Sequence, residues 1–167
     1  MNLDIIFEDQ FVICVNKPNN MVVHHAHHSR NVADEMALLQ LIETEKGIKV
    51  YPIHRLDRKT SGIILLAKET TNVSKFQELF TNNEIEKTYY GVVRGFSPET
   101  KIIDSPVKGR DSNVYKEALT YLKTLEQVVL EIPVKPYDCS RYSLVELKPK
   151  TGRIHQLRLH TLKISHP

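Results

Sequence analysis

Val50-Tyr51-Pro52-Ile53-His54-Arg55-Leu56-Asp57-Arg58-Lys59-Thr60-Ser61-Gly62-Ile63-Ile64-Leu65-Leu66-Ala67 places nine mostly polar residues between two apolar runs. Val50–Ile53 and Ile63–Ala67 are short and rich in β-branched residues, so each reads as a strand. Asp57 therefore belongs to a strand–loop–strand connection. One carboxylate stands there between two arginines, with His54 on one side and a Thr-Ser-Gly turn on the other. Nearby positive charge keeps a carboxylate ionised, and an ionised aspartate can serve as nucleophile or base. The competing reading is a polar turn between strands, because local charge pairs are mostly structural.

Outward from this segment the pattern stays strand-rich. Leu3–Phe7 and Phe11–Asn16 read as strands joined by Glu8-Asp9-Gln10, and Lys17-Pro18-Asn19-Asn20 breaks the second. Asn31–Glu45 reads as a helix, with Val32, Met36, Leu39 and Leu41/Ile42 near helical spacing and Gly47 as its stop. Thr70-Thr71-Asn72 is expected to cap a helix whose apolar face is Val73, Phe76, Leu79 and Phe80. Glu86–Arg94, Ala118–Thr124, Gln127–Ile132 and Arg141–Leu147 read as strands, and Gly95–Lys116, with Pro98, Pro106 and Gly109, as mostly loop. Thr151-Gly152-Arg153 turns into a helix over Ile154–Ile164, with Leu157, Thr161 and Ile164 along one side. The expected fold is α+β, a mixed, largely antiparallel sheet flanked by helices. The chain stops at Pro167 directly after a helix with no closing strand, and so reads either as truncated at its C-terminus or as a fold completed by something outside it.

A length of 167 residues suits one domain, 1–167, and 41% hydrophobic residues suffice for a sizeable core. No stretch approaches the roughly 20 apolar residues that span a bilayer. The start, MNLDIIFEDQ, has an early acid and no basic region, unlike a signal peptide. Cys14 and Cys139 lie far apart without paired spacing, which fits a reducing cytoplasm. Cys14, inside the run FVICV, is expected to be buried and inert. The net charge is +3, but its distribution is uneven: Lys148, Lys150, Arg153, Arg158 and Lys163 follow position 147 with no acid among them, leaving 18 basic against 20 acidic residues before it. Clustered lysine and arginine is the footprint of a phosphate-bearing partner; a solvated basic helix is the alternative.

Four segments together resemble the RluA-type pseudouridine synthases. The first is Asn16-Lys17-Pro18 followed by Met21-Val22-Val23-His24, similar to the family's opening motif. Asn20 stands where that family usually has glycine; asparagine tolerates the left-handed backbone better than most residues, so the turn is expected to survive. The second is HRLDRKTSG, which matches the catalytic motif throughout. The third is Glu86-Lys87-Thr88-Tyr89, similar to the Lys-x-Tyr strand. The fourth is Lys150-Thr151-Gly152-Arg153-Ile154-His155-Gln156-Leu157-Arg158-Leu159-His160. Their order and spacing agree with the family over nearly the whole chain. RYSLVELKPKTGRIHQLRLH and the lack of a separate N-terminal RNA-binding domain most resemble the tRNA pseudouridine synthase C subgroup.

The resemblance implies that a uracil in RNA, most of all in tRNA, is detached at N1, turned and rejoined through C5, with no cofactor. It makes Asp57 the catalytic carboxylate, attacking C1′ of the ribose or C6 of the base, or deprotonating the sugar; the sequence does not choose. Arg153 is implied as the cation paired with it. Arg58, adjacent in sequence, is the rival partner, and a helix-start arginine bound to a backbone carbonyl is the plainer reading of Arg153. Tyr89 is implied to stack on the flipped base, where stacking recovers about 1–3 kcal/mol; otherwise it is a half-buried strand tyrosine. Tyr90 must face the other side of the sheet. Arg55 is implied to fill the space the flipped nucleotide leaves. Lys17, Lys148, Lys150 and Arg158 are phosphate candidates, Arg58 is a further RNA-binding candidate, and His24 lies in a loop expected to approach RNA.

His24, His25, His27 and His28 invite a metal reading, but zinc sites usually add a carboxylate or cysteine at defined spacing, and no metal is expected. His54 and His155 are expected to be scaffold hydrogen-bonders. The alternatives to a tRNA-modifying enzyme are a ribosomal RNA synthase, a non-catalytic RNA-binding module on the same fold and, last, a metal-dependent hydrolase. A monomer is the default.

Overall fold

The computed structural model describes residues 3–25, 36–108 and 113–167. His27, His28, Gly109 and the start of the helix expected from Asn31 lie outside the described residues. The chain forms two compact units, Met1–Glu84 and Ile85–Pro167.

In the first unit, β1 (Ile5–Glu8), β2 (Val12–Lys17), β3 (Tyr51–Pro52) and β4 (Gly62–Ala67) form an antiparallel sheet in the order β1-β2-β4-β3. Asp9 closes the first turn: its Oδ1 accepts the amides of Phe11 (2.7 Å) and Val12 (2.8 Å). β2 is apolar without alternation because both faces of its sheet are covered. Ile13, Val15, Ile64 and Leu66 pack with Leu38 and Ile42 of helix α1 (Leu38–Lys46). Val12 and Ala67, with Ile53, meet Val73, Phe76 and Phe80 of helix α2 (Thr70–Thr81). Cys14 is buried, and that burial pushes its thiol pKa up.

Both helices begin differently from the sequence reading. Ala37 is extended, with its amide taken by Gln40 Oε1 (2.9 Å), so α1 starts at Leu38. It ends at Gly47, whose φ of +66° is a left-handed stop. Glu69, not the Thr-Thr-Asn run, occupies the cap position of α2 and makes no side-chain cap bond.

In the second unit, β5 (Tyr89–Arg94), β6 (Thr100–Asp104), β9 (Leu119–Leu130) and β10 (Ser140–Pro149) form an antiparallel sheet in the order β5-β10-β9-β6, beside a short hairpin of β7 (Val107–Lys108) and β8 (Tyr115–Lys116). The segment expected as loop thus holds three strands. Pro106 interrupts their sequence pattern, while pairing with Leu119–Lys123 imposes the extended form on Thr100–Asp104. The two strands expected over 118–132 are one, with a register shift opposite Leu144/Val145 absorbing the break. Val93, Ile103, Leu122, Val145 and Leu147 form the core, onto which Leu157 and Ile164 pack from α3 (Gln156–Lys163) and its C-terminal flank.

Candidate active site

β2 and β4 end together at the pair Lys17–Gly62. Two loops leave the sheet side by side there, 18–22 and 53–61. Gly62 has φ +118°, a backbone that side chains rarely adopt, so glycine is required where the second loop rejoins the sheet. Within that loop the Thr60 amide donates to the Asp57 carbonyl (3.0 Å), closing a turn around the aspartate. Leu56 is buried and anchors the loop, Asp57 is half-buried, and Arg55 and Arg58 are exposed. His54 is scaffold: its Nε2 accepts the Leu65 amide (3.0 Å) and its ring lies 4.9 Å from that of Phe80.

Lys17 corrects the sequence reading. It was expected to meet phosphate, but its exposure is 0%. Its ammonium donates to the carbonyls of Pro18 (2.9 Å), Met21 (2.8 Å) and Arg58 (3.2 Å). Those are all the hydrogens an ammonium has, so none remains for a phosphate. Burial pushes the Lys17 pKa below the ordinary lysine range, and the charge of Asp57 pulls it partly back. The loops are tied a second time by Arg58, whose Nε donates to the Asn20 carbonyl (3.2 Å). Asn20 adopts φ +63°, the left-handed turn anticipated for it. His24 is exposed, and His25 Nε2 lies 3.2 Å from Gln40 Oε1.

In the second unit Tyr89 is half-buried against the Val93–Leu147 core, while Tyr90 is 65% exposed on the opposite face. Lys87, two residues before Tyr89, is a further cation, to which the sequence alone assigns no role. Burial, then the like charge of Lys150, holds its pKa low. Two lysines held close enough to repel attract anions, and their wide separation in the sequence hides the pair. Lys148 falls elsewhere: it is ion-paired with Glu146 (3.5 Å) and lines a hollow of about 410 Å³ with Tyr121 and Lys123. Because Tyr89 pairs with Leu147 in register, alternation puts Lys148 on the face away from Tyr89.

Arg153 sits in a turn stapled by Gln156. The Gln156 Oε1 accepts from the Thr151 hydroxyl (2.7 Å) and the Arg153 amide (3.0 Å). Its Nε2 donates to the Leu119 carbonyl (3.1 Å) and Thr120 Oγ1 (3.0 Å). Thr120 Oγ1 also meets Nδ1 of the fully buried His160 (2.9 Å), whose Nε2 lies 2.9 Å from the Ser105 carbonyl. A carbonyl only accepts, so His160 carries its hydrogen on Nε2. The Arg153 Nε itself donates to the Glu117 carbonyl (3.0 Å), the plainer role considered for it. His155 takes φ +52° at the start of α3, a left-handed residue held by the surrounding staple, and Arg158 is exposed on that helix. Gln156 and His160 stand inside a recognised motif, but only the fold reveals that they are buried.

A family model described as RNA pseudouridylate synthase matches residues 11–163. The tRNA pseudouridine synthase C of Vibrio cholerae is 34% identical over 175 residues, covering 99% of this chain and 71% of that protein. The protein of the same name from Pasteurella multocida is 38% identical, covering 100% and 72%, and that from Pectobacterium carotovorum is 35% identical, covering 99% and 46%. The solved structure titled human RNA pseudouridylate synthase domain containing 1 superposes with a TM-score of 0.77 at 23% identity, over 99% of this chain and 66% of that one. The chain thus spans from about half to nearly three quarters of the length of the proteins it matches.

Proposed function

This chain belongs to the RNA pseudouridylate synthase family, and from that premise we propose that it converts a uridine of tRNA to pseudouridine with Asp57 as the catalytic carboxylate. The observation that carries the assignment of Asp57 is its loop: a half-buried carboxylate in a turn closed by Thr60 and tied to the neighbouring loop through Lys17 and Arg58. A reacting group held this way loses little freedom on reaching its target, which is where positioning contributes to rate. The tRNA substrate is supported by the names of the relatives.

In the reaction the N1–C1′ bond breaks, the uracil turns, and a C5–C1′ bond forms. The C5 proton leaves to solvent and N1 regains a hydrogen, so atoms balance without a cofactor. Asp57 acts at C1′, at C6 or on the sugar proton. Tyr89 offers a ring face to the flipped base, Arg55 fills the vacated position, and Arg153 supplies positive charge to the site; these roles rest on the motif likeness. Lys87 and Lys150 join Arg58, Arg158 and His24 as RNA contacts. The family match runs through both compact units, which supports reading 1–167 as one catalytic domain, working as a monomer in the cytoplasm. No described helix is long and apolar enough to cross a membrane.

The test is tritium release from tRNA transcripts made with 5-tritiated uridine. Wild type should release tritium; Asp57→Asn should bind the transcript and release none. Release that survives Asp57→Asn removes the aspartate from the chemistry, and binding without release by wild type points to a non-catalytic RNA module.

A further inference from the structure

We propose that Lys17 is a positioning residue for Asp57: its buried ammonium fastens the Arg58 carbonyl, one peptide beyond that of Asp57, to the turn 17–21 and so fixes where the carboxylate is presented. What Asp57 does rests on the pseudouridine synthase reading; what Lys17 does rests on distances. The sheet ladder ends at Lys17–Gly62, and beyond it the two loops have no strand pairing to hold them together. The Lys17 ammonium takes over that task, with two hydrogens on its own turn and the third on the Arg58 carbonyl. Arg58 returns the tie through the Asn20 carbonyl. The Asp57 backbone is thereby bracketed, its own carbonyl held by Thr60 and the next one by Lys17, leaving side-chain rotation as its main freedom.

Burying an ammonium is costly, and a neutral side chain of similar volume would fill the space without that cost. Methionine there would pack but could not hold the Arg58 carbonyl. A fully buried lysine at the root of a reactive loop is therefore explained by what it grips, and zero exposure removes the phosphate alternative.

The experiment uses the whole chain. Lys17→Met should lower kcat for tritium release about 100-fold, the scale of a small misplacement of a reacting group. Its Kd for tRNA and the salt dependence of that Kd should stay within about twofold. Weaker binding with a shallower salt slope would mark a phosphate contact and overturn the proposal. A variant that does not fold is bypassed by two further measurements. Lys17→Ala should regain activity with methylammonium or ethylammonium and not with sodium or tetramethylammonium; equal responses to all four overturn the proposal. In wild type labelled with ¹⁵N-lysine, one Nζ signal should be protected from exchange, and Asp57→Asn should move it. No protected signal, or one that ignores Asp57→Asn, also overturns it. The Nζ signal needs no turnover, so a wild type inert on tRNA would refute the reaction and leave the placement of Lys17 to be decided separately.

Discussion

Gln156→Leu tests whether the Arg153 turn is held as tightly as its hydrogen bonds imply. Leucine has nearly the volume of glutamine, so packing changes little, and the effect comes from four lost bonds. They are not equal. The Leu119 carbonyl keeps the Lys150 amide (2.9 Å), and Thr120 Oγ1 keeps His160. The Thr151 hydroxyl still reaches the Leu119 amide (3.1 Å). The Arg153 amide alone is left with none of its present partners, in a turn that water can reach. One buried and three part-buried bonds are lost, those at Thr151 and Arg153 being partly replaced by water, which gives about 2–4 kcal/mol at roughly 1 kcal/mol or more each. For a chain of this size that is a fall in Tm of about 4–16 °C. Thermal unfolding followed by circular dichroism reads it directly. Tritium release should fall by more than tenfold at temperatures where the variant is still folded, because the backbone of Arg153 is no longer tied to β9. A Tm within 2 °C of wild type together with full activity would refute the reasoning and show the staple to be slack.

Tyr89→Phe should keep most of its tritium release, since the ring remains, whereas Tyr89→Ala should lose at least tenfold, on the scale of one stacking contact; equal losses would assign the role to the hydroxyl. Glu8 is held below the ordinary glutamate range by Lys46 and by Lys68 (2.8 Å). Its contribution is therefore present above its unfolded pKa and lost as pH falls through the lower folded value. Glu8→Gln should cost at most about 1 kcal/mol at neutral pH, and the gap in Tm from wild type should close on acidification and shrink in high salt; a gap that persists in acid would refute the pairing. Lys87→Gln and Lys150→Gln should each flatten the salt dependence of tRNA binding by about one ion, read by filter binding, while Lys148→Gln, on the opposite face of the sheet, should leave it unchanged.

Pattern alone made the strand–loop–strand around Asp57, the buried run through Cys14, the helix carrying Val73, Phe76 and Phe80, and the four motifs legible. Each depends on spacing within a few residues, and local spacing is what a sequence records. Pairing was less legible. Thr100–Asp104 carries no strong strand signal and becomes a strand because a neighbour supplies its hydrogen bonds. Lys17 and Lys148 look alike in the sequence, both lysines beside motifs and both candidates for phosphate. The fold separates them: one is sealed beneath a loop by three carbonyls, and the other is paired with Glu146 on the outer side of a sheet. Lys87 and Lys150 meet only because β5 and the end of β10 are neighbours. The sequence by itself determined which chemical groups this protein carries and the family to which it belongs; the tertiary structure alone decided which of them are buried, and on what they spend their hydrogens, because burial and partnership are made by residues distant along the chain.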